Sequence, residues 1–134
     1  MPYAKLLCHA VWATKNREPL IDTTREAMIQ TALRDTCTAM GVFCYSTGIV
    51  ADHAHVVLSI PPKLAVAEVI GRLKGVSSHA VRSHQNQGPI FSWQGEYGVL
   101  SLTEKALPFV ISYVTNQHER HANNELLLTL ERIT

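Results

Sequence analysis

Ala51-Asp-His-Ala-His-Val-Val-Leu-Ser-Ile60 alternates between two faces with the period of a β-strand. Side chains two apart in a strand point the same way. His53 and His55 therefore share one face with Val57 and Ser59, while Ala54, Val56, Leu58 and Ile60 form an unbroken apolar strip on the other. A strand of this kind belongs to a sheet packed on one side and carrying two imidazoles on the other, which is half of a metal site.

The segments on either side extend that sheet. Tyr3 to Ala13 is apolar on both faces and predicts a central strand. Thr14-Lys-Asn-Arg-Glu-Pro19 is a polar loop, and Thr23 with Glu26 three residues on forms a capping box for a helix that Gly41 ends. Val42 to Val50 is a second strand, a short turn carries Asp52, and Pro61-Pro62 stop the histidine strand. A second helix spans about Ala65 to His84, with Val66, Val69, Ile70, Leu73, Val76 and Ala80 as its core stripe and Lys74, Ser78 and Arg82 on the far side. Asn86-Gln-Gly-Pro89 is a turn, and Ile90 to Trp93 and Tyr97 to Leu102 are short strands. Thr103 opens a third helix to about His121, with Pro108 confined to its first turns. The leucine-rich tail from Asn123 to Thr134 is too short to fold alone and should dock on the rest. This order predicts an α+β fold: a ferredoxin-like split βαβ antiparallel sheet with helices on one face, plus a C-terminal tyrosine-bearing helix. Residues 1–134 are expected to form a single domain.

The apolar fraction of 46% and the charged fraction of 17% are those of an ordinary globular protein. No apolar run approaches the roughly 20 residues of a membrane span, and His9, Trp12 and Lys15 interrupt any signal-peptide layout. Cys8, Cys37 and Cys44 are odd in number and sit in apolar sequence, which points to buried reduced thiols in a cytoplasmic protein. A net charge of +1 is not the strongly basic footprint usual for nucleic-acid binding. Between Lys63 and His84, however, Lys63, Arg72, Lys74 and Arg82 face a single acid, Glu68, and a local stripe of this kind can hold phosphates.

In the third helix, Tyr113 and Gln117 are four apart and so neighbours on the surface. A phenol beside an amide on a helix, opposite two histidines on a strand, suits phosphodiester chemistry. Imidazole nitrogens and an amide oxygen can hold Mg²⁺ or Mn²⁺. Such an ion polarises a phosphate oxygen while the tyrosine attacks phosphorus and forms a covalent intermediate.

The order of motifs is more specific than any one of them. Asp52-His-Ala-His55 is followed by Ser59-Ile-Pro-Pro62, Gly71-Arg-Leu-Lys-Gly-Val-Ser77, Trp93-Gln94, Tyr97-Gly98 and Tyr113-Val-Thr-Asn-Gln117. Together with the opening His9-Ala-Val-Trp-Ala-Thr-Lys-Asn-Arg-Glu-Pro-Leu20, this resembles the single-tyrosine HUH transposases of small insertion sequences and their REP-associated relatives, over residues 3 to 121. The resemblance implies that His53 and His55 are metal ligands, that Gln117 is the third ligand for Mg²⁺ or Mn²⁺, and that Tyr113 is the nucleophile. It further implies cutting and rejoining of single-stranded DNA beside hairpins, with a 5′-phosphotyrosine and a free 3′-OH. A homodimer in which the tyrosine helix can serve the partner's site, and work at a bacterial or archaeal nucleoid, follow on the same ground.

Lys15, Arg17, Lys74 and Arg82 are candidate phosphate contacts, with ordinary surface charge as the other reading. Asp52 either orients a histidine or forms an Asx turn. Trp12 and Trp93 either stack on unpaired bases or pack in the core. His9, His79, His84, His118 and His121 have no pattern tying them to the site. A replication initiator often has lysine where Gln117 stands, and a histidine-triad hydrolase needs histidine at Val57. A domesticated hairpin-binding protein that no longer cleaves is the rival of a different class.

Overall fold

The computed structural model describes residues 3–85 and 88–134. Its elements are β1 (Leu7–Ala13), α1 (Thr23–Met40), β2 (Phe43–Val50), β3 (His53–Ser59), α2 (Val66–Arg82), β4 (Gly98–Ser101), α3 (Leu107–Thr115), α4 (Gln117–Ala122) and α5 (Leu128–Glu131). A 3-10 turn at Lys15–Arg17 follows β1. Asn86 and Gln87 of the expected 86–89 turn lie outside the described residues.

The strands form one antiparallel sheet in the order β2-β3-β1-β4. This is the split βαβ arrangement, with β3 lying between β1 and β2. Cys8, Ala10 and Trp12 of β1, Ile49 of β2 and Ala54, Val56 and Leu58 of β3 share one face, where they pack on Ile29, Leu33 and Cys37 of α1 and Val69, Ile70 and Leu73 of α2. The other face carries His9, His53, His55 and Val57, and is covered by Val110, Tyr113 and Val114 of α3 and Leu130 of α5. Trp12 is fully buried in the first core and meets Trp93 edge-on at 5.9 Å, so its ring is packed away from any base. Cys8, Cys37 and Cys44 are free thiols.

Boundaries differ from expectation where local chemistry competes. The first strand starts at Leu7, not Tyr3, because pairing with β3 and β4 begins only at Leu7 and Cys8. Asp22 rather than Thr23 caps α1, its carboxylate accepting from the Arg25 N–H at 2.8 Å. Residues 90–93 form no strand; Trp93 makes only an isolated bridge to Thr14. The expected single helix to His121 is two helices, because Asn116 leaves helical geometry at φ −98°, ψ 30°. Asn competes for backbone partners with its own side chain, and here its amide reaches back to Ser112 Oγ at 3.3 Å.

Two glycines allow the site face to be covered closely. A Cβ on Gly48 of β2 would lie 2.1 Å from the backbone oxygen of Val114, and one on Gly98 of β4 would lie 2.0 Å from that of Arg132. The first lets α3 settle onto the sheet. The second lets the tail dock beside β4, which is where the leucine-rich segment finds its partner.

Candidate metal centre and nucleophile

His53 and His55 are buried, 2% and 0% exposed. Each is turned by a bond to its far ring nitrogen. His53 Nδ1 lies 2.7 Å from Asp52 Oδ1, and His55 Nδ1 lies 2.8 Å from His9 Nε2. A carboxylate only accepts, so His53 donates from Nδ1 and its Nε2 points inward. Asp52 thus orients the ring from the turn before β3, its carboxylate meeting His53 and the Arg17 guanidinium. His9 is a correction. It faces Val57 across the β1–β3 pairing, one step diagonal from His55, and belongs to the site's support. Burial, with His55 adding to it and Glu131 opposing, lowers His9 to about 3 and keeps it neutral. Burial likewise lowers His55 and His121.

The inward nitrogens meet the tail. Glu131 Oε1 lies 3.1 Å from His53 Nε2, 3.2 Å from His55 Nε2 and 3.6 Å from His121 Nε2. The candidate ligand atoms of these four residues all lie within 4.8 Å of one another. Burial works to raise the Glu131 carboxyl, but the two β3 imidazoles and the Tyr113 phenol outweigh it and hold the group well below the usual carboxylate range.

Tyr113, on α3, stands over the same chain's histidines with its ring centroid 6.1 Å from that of His55. The ring is fully buried. Its hydroxyl donates to Glu131 Oε2 and accepts the Leu127 N–H at 3.0 Å. Burial first, then the Glu131 contact, raises its pKa, so the phenol keeps its proton in this arrangement. The Arg120 guanidinium lies 4.9 Å from the ring centroid.

Gln117, 1% exposed, donates to the Tyr113 carbonyl at 3.1 Å and lies 3.0 Å from His121 Nε2 through its Oε1. It reaches the histidines through His121, which is the second correction. Positions 113, 117 and 121 recur at four-residue spacing, a signal that could have found His121. Glu131 had no such signal, because it joins the cluster only through the fold of the tail.

The four candidate phosphate contacts separate into two pairs. Lys15 and Arg17 are exposed in the 3-10 turn beside the site, with Arg17 Nη1 3.9 Å from Asp52 Oδ2. Lys74 and Arg82 lie on α2, across the sheet. Lys74 Nζ donates to the Gln94 carbonyl at 2.6 Å and Arg82 Nε to the Phe91 carbonyl at 2.6 Å, so both strap the loop before β4.

The donor set fits a divalent cation. His53 Nε2 is buried, has no hydrogen-bond partner of good geometry and is turned to the cluster, 3.1 Å from Glu131 Oε1.

Comparison with known proteins points to one family. The family described as IS200-like transposases matches residues 3–117. The ISDra2 transposase TnpA of Deinococcus radiodurans is 24% identical over 117 residues, covering 84% of each chain. The transposase of insertion sequence element IS200 from Salmonella typhimurium is 36% identical over 70 residues, 52% of this chain and 46% of its own. A solved structure of a Deinococcus radiodurans R1 protein assigned as a transposase superposes with a TM-score of 0.67 at 26% identity, covering 87% of this chain and 93% of that one. The REP-associated tyrosine transposase bound to a REP hairpin superposes with a TM-score of 0.69 over 90% of this chain and 72% of that one; at 15% identity this is a likeness of fold. With a match running from the first strand to the end of the tyrosine helix, the chain belongs to the IS200-like transposase family.

Proposed function

We propose that this chain is a metal-dependent transposase that cuts and rejoins single-stranded DNA next to hairpins, through a 5′-phosphotyrosine on Tyr113. One observation carries the reading: the Tyr113 hydroxyl and the inward nitrogens of His53 and His55 converge on a single carboxylate, so phenol and imidazoles lie within reach of one small group. A phosphate there would touch both.

In this reading His53, His55 and Gln117 hold Mg²⁺ or Mn²⁺, which would polarise a phosphate oxygen and offset charge in the transition state. Tyr113 loses its proton and its oxygen attacks phosphorus. The bond to the 3′-oxygen breaks, that oxygen takes up a proton, and the 5′-phosphate stays on the phenol. Attack by a 3′-OH reverses the exchange and frees the tyrosine, so the phosphodiester energy is kept for rejoining. Lys15 and Arg17 flank the site and would meet the DNA backbone. Residues 1–134 would act as a single HUH domain, as a homodimer, in the cytoplasm and on the nucleoid. No helix among the described residues is long and apolar enough to cross a membrane.

The test uses oligonucleotides with a foldback and flanking single strand, with Mg²⁺ or Mn²⁺. Wild type should form a protein–DNA adduct that survives denaturation, and Tyr113→Phe should lose it while still binding the hairpin. An adduct formed by Tyr113→Phe would reassign the nucleophile. A wild type that binds its hairpin but never forms the adduct would favour the binding-only reading.

A further inference from the structure

Two of the three cysteines meet at the end of the sheet away from the histidines. Cys37 lies in the last turn of α1, 1% exposed, and Cys44 lies at the start of β2, partly exposed. The turn between them is fastened to the helix: the Gly41 N–H, at φ 73°, and the Val42 N–H both donate to the Cys37 carbonyl, the second at 2.8 Å. This cap brings β2 back past the end of α1, and the Cys37 and Cys44 thiols share a hydrogen bond. The register shifts between Cys44 and Ser46, and Cys44 Sγ lies 3.6 Å from the Ser46 carbonyl oxygen. Phe43 pairs with Ser59 whereas Val50 pairs with His53, so the length of β2 separates the thiols from the metal cluster.

The two sulfurs are not equivalent. The hydrogen bond from Cys37, joined by the Arg34 guanidinium one turn before it and by the Ser46 backbone, outweighs burial and lowers Cys44 to about 7. The same bond first, and then burial, raises Cys37. Cys8 has only burial acting on it and is raised to about 11. The thiolate is the reactive form of cysteine. The sulfur nearer to solvent is therefore also the more easily ionised, and the one that keeps its proton stands behind it. That is the division between an attacking and a resolving thiol.

We infer that Cys37 and Cys44 form a redox-active pair, which closes to a disulfide when it meets a low-molecular-weight disulfide such as oxidised glutathione. The Cys44 thiolate attacks one sulfur of the reagent, forming a mixed disulfide and releasing one glutathione thiolate. The Cys37 thiol gives its proton to that thiolate, and its sulfur attacks Cys44 Sγ. The second glutathione leaves as a thiolate and takes a proton from water. Two electrons pass from the pair to the reagent, one disulfide bond breaks and one forms. The ring that closes, residues 37–44, is the capped turn itself, so the bond joins two sulfurs already in contact. The pair stands apart from the DNA chemistry proposed above and shares no residue with it.

The test needs no DNA. The reduced full-length chain, freed of reductant, is incubated near neutral pH with a large excess of oxidised glutathione and quenched with acid. The remaining thiols are alkylated in denaturant and located by peptide mass spectrometry. Wild type should lose the Cys37 and Cys44 thiols together, joined in one disulfide, with Cys8 still free. Cys37→Ala should stop with one glutathione on Cys44, and Cys44→Ser should leave Cys37 unmodified. In a pulse of iodoacetamide on the folded chain, Cys44 should react roughly 100-fold faster than Cys8, its larger thiolate fraction being partly offset by the weaker nucleophilicity of a more acidic thiol. Wild type alone decides the outcome, whether or not a variant folds. The pair is overturned if wild type keeps all three thiols, if it halts at the mixed disulfide, if the disulfide includes Cys8, or if Cys8 alkylates as fast as Cys44.

Discussion

Gly48→Ala is the sharpest test of how the tyrosine helix reaches the histidines. The added Cβ would sit 2.1 Å from the Val114 backbone oxygen, 2.7 Å from Gln117 Cγ and 3.0 Å from the Val114 carbonyl carbon. The first contact is with backbone, so no side-chain rotation relieves it. The end of α3 would have to retreat by about 1.3 Å to reach the 3.4 Å at which ordinary contact begins. Overpacking of this kind costs about 1–3 kcal/mol. Because Val114 and Gln117 flank the turn after Tyr113, the retreat also carries the phenol and amide away from His55, and a 1 Å misplacement can cost about 100-fold in rate. Gly71→Ala is the control: its Cβ meets nothing within 4 Å, it lies inside α2, and it should stabilise by up to about 1 kcal/mol. Urea unfolding reads the stability and the rate of adduct formation reads the site. If Gly48→Ala unfolds at the wild-type midpoint and forms adduct at the wild-type rate, the close approach of α3 to β2 is not what sets the site.

Other expectations follow from single contacts. Asp52→Ala removes the carboxylate that turns His53, and metal affinity measured by chelator competition should fall roughly 10- to 100-fold with the fold intact. Ser77→Ala takes away the acceptor of the Trp93 Nε1–H at 2.9 Å and should cost about 1 kcal/mol in urea unfolding, without changing metal affinity. The metal-free chain should lose stability in acid. His9 is depressed to about 3 from an ordinary 6.5, so the unfolded chain takes up the proton first; its contribution is complete above about pH 6.5, and is lost as pH falls towards 3, about 2 kcal/mol of it by pH 5. His55 and His121, lowered by burial, act with the same sign. His9→Asn should flatten the slope by up to one proton, and an unchanged slope would refute the assignment.

What could be read along the chain is what local periodicity encodes. The alternation around His53 and His55 places two imidazoles on one face because a strand repeats every two residues, whatever it pairs with. The stripe Val69, Ile70, Leu73 marks the buried side of α2 for a similar reason. Tyr113 and Gln117 follow from the helical turn. Helix ends were less legible, since Asp22 and Thr23 are both good caps and only the fold selects between them.

The remainder of the site is long-range. His9 reaches His55 because β1 pairs with β3 in one register, and a shift of one residue would turn it to the opposite face. His121 keeps the four-residue spacing from Tyr113 and Gln117 although the helix is interrupted at Asn116, whereas Glu131 comes from a short tail that has no amphipathic period of its own. Gly48 and Gly98 look alike as letters, yet each matters for a backbone oxygen that passes close by, more than thirty positions away in both cases. Periods of two and of about 3.6 residues are written into the order of side chains. Which strand lies beside which, and what the tail settles upon, depends on the packing of segments far apart in the chain, and no local pattern carries that.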